Sequence, residues 1–326
     1  MSGQVLGGAP RDAQPRLPQA LRTGLAGVSQ GLRSALRICL ATVAGRIGLG
    51  LVAVHLTLAL IGPLLAPYSP TSFNYLDNGD LKQFLGPSLQ HWLGTDQFGR
   101  DILSRVMSGA TSIITVSVAG AASGIIAGTL VGMSSGYKGG RIDEIVMRVM
   151  DGLMSFPSLL LALLVMTTLA FRPAPFEWIQ PYWQQSLIVF TIATANVPRV
   201  ARVMRSTTLT LKTLEFVQSA RLRGEAAPYI IFREILPSAL PILGVEMSIR
   251  LSYAILLVSS LGFLGMGVQP PSPDWGLMIS QSRQFLVTAP WVALAPAAAV
   301  ASLVVGVNLL VDGIRQAQGL PKEDVA

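Results

Sequence analysis

Charged residues inside apolar stretches are the first candidates for chemistry in this sequence. Glu246 and Arg250 stand four residues apart in a long apolar run, so on a helix they share one face and can neutralise each other. Ionisable groups in such surroundings form an internal ion pair or part of a proton or ion relay. Because His55 is the other such group in an apolar run, a relay would be short of members, and the pattern favours the ion pair.

The sequence contains none of the common motifs for catalysis, nucleotide binding or metal binding that we considered. The sequence lacks the GxxxxGK[ST] phosphate cradle and the HExxH zinc motif, whose backbone N–H groups and histidines hold phosphates and metal ions. Its single cysteine, Cys39, has no CxxC partner, and the two histidines, His55 and His91, are far apart. We therefore predict no enzyme, no cofactor and no metal site, and we interpret Cys39 as a small buried or interfacial residue.

The amino-acid composition indicates the class of protein to which these residues belong. Hydrophobic residues make up 51% of the 326 and charged residues 13%, with a mean hydropathy of +0.55, which is outside the usual range of a soluble domain. A spanning helix needs roughly 20 mainly apolar residues. The sequence therefore predicts an all-α polytopic membrane protein with six transmembrane helices near 47–67, 111–135, 153–170, 185–201, 242–266 and 288–312.

Orientation follows from the basic residues, because cytoplasmic loops retain Lys and Arg during insertion. With the N-terminus inside, 18 of the 24 fall on the cytoplasmic side and five outside, and Arg250 lies within the fifth span. Both termini are therefore predicted to lie in the cytoplasm. This bias also explains the net charge of +7, so membrane lipid is the predicted partner of the basic residues and nucleic acid is not.

The predicted spans divide the chain into three parts. Residues 1–45 form a cytoplasmic tail, 46–110 the first transmembrane helix and an extracytoplasmic segment, and 111–326 a five-helix core with a cytoplasmic loop at 202–241. Within the tail, apolar residues from Leu21 to Cys39 recur at intervals of three or four, which favours an interfacial helix; a partly ordered linker is the alternative. The second span is rich in small residues and is predicted to be buried, and Pro157 is predicted to kink or begin the third.

A charged segment interrupts the apolar spans at LEFVQSARLRGEAAPYIIFREILPSALP, residues 214–241. Leu214 to Arg223 can form about three helical turns, Gly224 supplies the left-handed residue that ends many helices, and Pro228 suits the first turn of the next. Pro237 is predicted to stop this second helix. We call residues 215–236 the projection; the alternative is a solvated loop with amphipathic helices on the membrane surface.

The projection resembles the ATPase-docking loop of ABC-importer permeases, whose pattern is Glu-Ala-Ala, three residues, Gly, and about eleven residues before Leu-Pro. Gln218, Ser219 and Ala220 align with Glu-Ala-Ala and depart from it at the first two positions, whereas the literal Glu225-Ala226-Ala227 has no Gly at the required spacing. The resemblance implies that the following residues contact an ATPase: Glu215, Gln218, Ser219, Ala220, Arg221, Arg223, Gly224, Leu236 and Pro237.

Four further stretches resemble one branch, the C-type permeases of the dipeptide, oligopeptide and nickel importers. They are HWLGTDQFGRDILSRVMSGA at 91–110, GGRIDEIVMRVMDGLMSFPSLLLAL at 139–163, SSLGFLGMGVQPPSPDWG at 259–276 and NLLVDGIRQ at 308–316. The likeness covers roughly 90–326 and implies the type I ABC-importer, or MetI-like, permease fold. It implies the inner or plasma membrane of a prokaryote as the location. As partners it implies a second homologous permease in a heterodimer, two ATPase subunits and an extracytoplasmic solute-binding protein.

The resemblance leaves the cargo open. Peptides are the first interpretation, with nickel complexes, glutathione and oligosaccharides as alternatives within the family; a proton-coupled secondary transporter is the alternative of another class. Asp96, Arg100 and Asp101 lie in the predicted extracytoplasmic loop and are candidate contacts for a partner or cargo, or a structural turn with Gly99 as hinge. Trp275, which follows a proline-rich loop, is interpreted as an interfacial anchor.

Overall fold

A computed structural model describes residues 37–77, 79–270 and 272–317. In this part the regular secondary structure is helical, loops connect the helices, and isolated bridges join Tyr75 to Leu81 and Thr95 to Asp101. Most of the predicted cytoplasmic tail lies outside the described residues. The helices are α1 Val43–Leu65, α2 Ile102–Lys138, α3 Gly140–Met154, α4 Ser158–Leu169, α5 Trp183–Leu211, α6 Glu215–Leu222, α7 Ala227–Phe263, α8 Trp275–Ser282 and α9 Pro290–Ala317.

Five helices are long and apolar enough to cross a membrane: α1, α2, α5 with its preceding turn from Glu177, α7 and α9. A sixth span exists only if α3 and α4, bent by 79° at their junction, count as one. Alone, the 12 residues of α4 reach only about 18 Å. Pro157 immediately precedes α4, and since a proline disfavours helical geometry in the residue before it, the helix restarts there. The predicted third span, 153–170, therefore ran across a break.

The second span is longer than the predicted 111–135, because α2 begins at Ile102. Asp101 caps the helix, accepting from the backbone N–H of Ser104 at 2.8 Å. Arg105 lies in the first turn of this helix. It is buried, with Nη1 donating to the Pro70 carbonyl at 3.1 Å and Nε 3.8 Å from Asp96, so the surrounding loop neutralises it.

The predicted burial of the second span is confirmed, and α2 makes its most extensive contact with α5. Glycines recur every fourth residue along the contact. A Cβ atom on Gly120, Gly124 or Gly128 would lie 2.6–2.8 Å from the Cβ atom of the facing α5 residue. Without side chains at these positions, the two backbones approach closely and gain packing energy that lipid cannot replace. This contact makes α2 and α5 one rigid unit.

The main apolar core joins α2, α4, α5, α7, α8 and α9 around Trp275, and α1 packs against it. The indole of Trp275 is fully buried and donates to the Val106 carbonyl at 2.9 Å, with the His55 ring edge-on at 5.9 Å. The interpretation of Trp275 as an interfacial anchor was therefore wrong. The Asp274 cap starts α8 at this position and turns the ring inward, a reversal that the proline-rich sequence does not reveal.

Candidate functional site

The projection begins with α6, which ends in a left-handed glycine as the sequence predicts. Gly224 has a φ of +79°. The N–H of Glu225 donates to the Ala220 carbonyl at 3.2 Å, and the N–H of Gly224 donates to the Arg221 carbonyl at 2.9 Å. These two bonds form a Schellman motif, which satisfies carbonyl groups that a helix end otherwise leaves open. The turn fixes the direction in which the chain leaves α6.

The second half of the projection is continuous with the fifth span, so the prediction that Pro237 stops the helix was wrong. Ile230–Ile235 forms a π-helical turn that runs directly into Leu236–Phe263. Here the N–H of Leu236 donates to the Ile231 carbonyl, five residues back. A π-turn widens the helix, which makes room for the Pro237 ring and its missing N–H. A displacement of the projection is thereby passed into α7 without a flexible joint.

The inner face of the projection belongs to a second apolar cluster, which it shares with α2 and α5. Val217 and Ala220 of α6 and Ile230 and Ile235 of α7 are at most 1% exposed. They pack with α2 and α5 residues in one cluster, which consists of Met133, Val200, Met204, Val217, Ala220, Ile230, Ile231, Ile235 and Ala239. Because this cluster excludes water, the projection is held against the α2–α5 unit by hydrophobic packing as well as by its chain connections.

Polar contacts add to this attachment. The Lys212 Nζ, just after α5, donates to the Gly136 carbonyl of α2 at 2.7 Å. The Arg221 guanidinium lies 5.0 Å from the centre of the Tyr137 ring, a cation–π distance. Arg223 lies 3.3 Å from Glu234 and 3.7 Å from Glu225, so it bridges the two sides of the Gly224 turn.

The structure separates the nine predicted docking residues by exposure. Ala220 is fully buried in the cluster just described and Leu236 is half-buried. The other seven are exposed: Glu215, Gln218, Ser219, Arg221, Arg223, Gly224 and Pro237. The alanine of the pattern therefore seats α6 on the core. The Gln218 side chain, which replaces the family's glutamate, donates to the Thr213 carbonyl at 3.0 Å.

Sequence reasoning missed the apolar residues on the outer face of the projection. Leu222 is 90% exposed, Phe232 48%, Tyr229 42% and Phe216 38%. Val217 and Ala220 lie on the buried face of α6. Phe216 and Leu222 lie outside that face, and their apolar character is the sequence signal that could have predicted a second apolar surface. Exposed apolar side chains grouped beside charged ones are typical of a surface that binds another protein.

A second missed feature is α3, which is tied to α5 by ion pairs. Asp143 receives two bonds from Arg205, and Asp151 receives one from Arg202 at 2.6 Å. The Asp143 carboxylate is 9% exposed, whereas that of Asp151 is 62% exposed. The two residues of each pair are more than 50 positions apart, so no local spacing could reveal them.

A cavity of about 460 Å³ lies between α5, α7 and the start of α4. The predicted Glu246–Arg250 ion pair is confirmed: the Nε–Oε2 distance is 2.9 Å and both side chains are 11% exposed. Both residues line the cavity, together with Arg199 of α5. The complete lining is Ser158, Ile192, Ala195, Asn196, Arg199, Glu246, Ile249, Arg250, Tyr253, Ala254 and Leu257.

The external loop folds around the three candidate contact residues. One Asp96 oxygen accepts from the N–H groups of Phe98 and Arg100, and the other accepts from the Arg100 Nε at 2.7 Å. Asp101 holds Ser104 and the His91 ring, the latter at 2.9 Å. The Asp96 and Asp101 side chains are at most 6% exposed, and Gly99 has a φ of +69°. This is the geometry of the structural-turn alternative, and it leaves these carboxylates little surface for a partner.

No group of three metal-ligating side chains occurs among residues 37–77, 79–270 and 272–317. The geometry instead combines a charged intramembrane cavity with a projection packed on the helices that form it. α5 and α7 contribute to both features. Such an arrangement can couple a partner's movement at the projection to a change of the cavity.

Comparison with known proteins gives concordant matches. A model of the family described as "Binding-protein-dependent transport system inner membrane component" matches residues 124–319. The dipeptide transport system permease protein DppC of Alkalihalophilus pseudofirmus is 37% identical over 271 residues, 83% of this chain and 84% of that protein. The glutathione transport system permease protein GsiD of Pectobacterium atrosepticum is 37% identical over 285 residues, 87% and 88% of the two chains. GsiD of Escherichia coli O157:H7 is 38% identical over 266 residues, 82% of each.

Proposed function

This chain belongs to the family of binding-protein-dependent transport system inner membrane components, as an ABC-importer permease of the dipeptide and oligopeptide branch, and we propose that its cargo is peptide. In this proposal it forms half of the translocation pathway. The other half is a second, homologous permease. An extracytoplasmic solute-binding protein delivers the cargo, two separate ATPase subunits supply the energy, and both termini of this chain face the cytoplasm.

The observation that carries this proposal is the attachment of the projection. Its inner face belongs to an apolar cluster with α2 and α5, and its second helix is continuous with α7. A push on its exposed face therefore acts on α5 and α7, which line the cavity. Closure of two ATPases below the membrane would rock these helices between outward-open and inward-open arrangements. Phe216, Leu222, Tyr229 and Phe232 are the apolar contacts proposed for the ATPase.

The relatives bear on the cargo. One is a dipeptide permease and two are glutathione permeases, and glutathione is itself a modified tripeptide. We therefore keep peptides as the proposed cargo class, with glutathione as its nearest alternative. Nickel complexes and oligosaccharides have no support among these relatives. Proton-coupled transport is disfavoured by the family and by the internal pairing of Glu246 with Arg250.

Site-directed crosslinking tests the docking surface. Leu222→Cys is made in a Cys39→Ser background, so that it is the chain's single thiol, and is combined with single cysteines on the ATPase. Leu89→Cys is the matched control, since Leu89 is 97% exposed but lies in the loop proposed to be extracytoplasmic. Crosslinks from position 222 and none from position 89 are expected. Crosslinks from position 89, or none from 222 in an assembly that hydrolyses ATP, would contradict the proposed docking face.

A further inference from the structure

The cavity between α4, α5 and α7 has an excess of positive charge. Arg199 and Arg250 each contribute one guanidinium, and Glu246 contributes the one carboxylate of the lining. Glu246 and Arg250 neutralise each other at 2.9 Å. Arg199 has no acidic partner among the described residues; its Nη1 donates to the Ala195 carbonyl of its own helix at 2.8 Å. One cation therefore faces the cavity without a counter-charge.

Arg199 lies near the cytoplasmic end of the predicted fourth span, and charged residues of transmembrane helices generally face a water-filled cavity or bind a functional partner. Arg199 shares one face of α5 with the cavity-lining residues Ile192, Ala195 and Asn196. The planar guanidinium of Arg199 presents N–H donors in the geometry that matches a carboxylate. It has five such donors, and four of them remain available for a carboxylate after the bond to the Ala195 carbonyl. Arg250 has its Nε occupied by Glu246.

The broken third span adds to the positive potential. α4 begins at Ser158, which lines the cavity, and the preceding Pro157 makes no side-chain cap. The N–H groups in the first turn of a helix are open donors, and discontinuous helices in transporters direct such ends toward anionic groups. The start of α4 therefore adds to the attraction of an anion, whereas Arg199 supplies the unpaired charge.

We infer that Arg199 binds a free carboxylate of the cargo as the cargo passes through this cavity. The inference rests on the proposed function and narrows it to carboxylate-bearing cargo, such as a peptide with a free C-terminus. The volume of about 460 Å³ falls within the usual range of small-molecule sites. Glu246 neutralises Arg250, so Arg199 is the lining cation whose charge remains for the carboxylate.

The test uses the whole assembly in liposomes: both permeases, both ATPases and a saturating binding protein. The probe is Ala-Ala, or glutathione if the binding protein binds that instead, and uptake is expressed per ATP hydrolysed. Arg199→Gln removes the charge, Arg199→Lys keeps it, and Arg202→Gln is the matched control. Arg202 lies one turn along α5, is half exposed, pairs with Asp151 and does not line the cavity.

Arg199→Gln is expected to lower uptake per ATP about tenfold or more, the effect of losing a charge-assisted hydrogen bond. Arg199→Lys keeps the charge but not the planar fork, so its uptake per ATP should lie between those of Arg199→Gln and wild type, and Arg202→Gln should retain all of the uptake. Equal uptake per ATP in Arg199→Gln and wild type would overturn the inference and leave the proposed function intact. No ATP-dependent uptake by the wild-type assembly would overturn the proposed function, and the inference with it.

A second measurement needs no variant and applies if Arg199→Gln does not assemble. The wild-type assembly is given the probe or its C-terminal amide, at concentrations that occupy the binding protein equally. The amide lacks the charge that Arg199 recognises, so its uptake per ATP should be severalfold lower. Equal uptake of probe and amide would overturn the inference.

Discussion

Asp143 of α3 and Arg205 of α5 form a two-point ion pair, with the Arg205 Nε 2.6 Å from Oδ1 and Nη2 2.5 Å from Oδ2. The pair fixes α3, the first part of the broken third span, to the helix that leads into the projection. A second pair between the same helices, Asp151 with Arg202, is solvated. The two pairs therefore provide a matched comparison of a shielded and an exposed contact.

Asp143→Asn is expected to destabilise the purified permease by about 1–3 kcal/mol, since the partly buried Arg205 guanidinium loses a charged partner that is itself shielded from water. Asp151→Asn is expected to cost less than about 1 kcal/mol, because water screens that pair. Thermal unfolding in detergent, followed through the α-helical signal, measures both. Equal losses in the two variants would contradict the structural role assigned to the Asp143–Arg205 pair.

Gly224→Val should uncouple the projection. The space around the Cβ position is open, so the cost comes from the positive φ, at about 1–2 kcal/mol for a residue with a Cβ. Asn tolerates this conformation better than other residues, so Gly224→Asn is the control. The Val variant should insert normally and bind the solute-binding protein, yet lose ATPase co-purification or cargo-stimulated hydrolysis, which Asn retains. Full association and full stimulated turnover in Gly224→Val would mean that the turn does not set the docking geometry.

Two glycines in spans are predicted to respond oppositely to alanine. A Cβ on Gly128 would lie 2.6 Å from that of Val200, whereas one on Gly50 would meet nothing within 4 Å. Gly128→Ala should cost about 1–3 kcal/mol by forcing α2 from α5, and Gly50→Ala should be neutral or stabilise by up to about 1 kcal/mol. Thermal unfolding of the two variants under the same conditions measures both changes in stability. A Gly128→Ala protein as stable as wild type would argue against the close α2–α5 contact.

The segment around α8 should lose stability as pH rises. Burial raises the pKa of Asp274 to about 6 from 3.8, although the N–H groups of Leu277, Gly276 and Val268 partly offset this. The folded carboxyl therefore holds its proton where the unfolded one has released it. Its contribution is complete below about pH 3.8 and is lost as pH rises through about 6, at most about 3 kcal/mol.

Hydrogen exchange of the 275–282 amides, corrected for intrinsic rates, should show protection falling between pH 4 and pH 7. Asp274→Asn keeps a side-chain oxygen for the Leu277 N–H but does not titrate, so its protection should vary little over this range. Identical pH profiles for wild type and Asp274→Asn would show that another group is responsible.

Opposite labelling of two exposed positions is expected from the proposed topology. In a Cys39→Ser background, Leu89→Cys should react with a membrane-impermeant maleimide from outside intact cells. Leu222→Cys should react only after the membrane is opened, because the distribution of basic residues predicts a cytoplasmic projection. Labelling of position 89 from the cytoplasmic side alone would reverse the topology.

The sequence predicted the features that depend on local pattern. Helical class and five of the six spans follow from apolar length, whereas the predicted third span crossed the bend between α3 and α4. The Glu246–Arg250 pair follows from four-residue spacing, and the left-handed Gly224 from turn chemistry. It could not predict the continuity of α7 past Pro237, because the π-turn that accommodates the proline depends on packing against α2 and α5. The sequence also could not predict that Arg199 lines a cavity, because residues of α4 and α7, which are distant in the sequence, form the other walls.

Transport in reconstituted liposomes tests the central claim most directly, namely that this chain is half of an importer powered by separate ATPases. Uptake of a dipeptide that the binding protein binds is measured with and without the ATPase subunits, under ATP or under an imposed proton gradient. The account predicts uptake only when the partner permease, the ATPases, the binding protein and ATP are all present. Uptake by this chain alone, driven by the proton gradient without ATP, would contradict it.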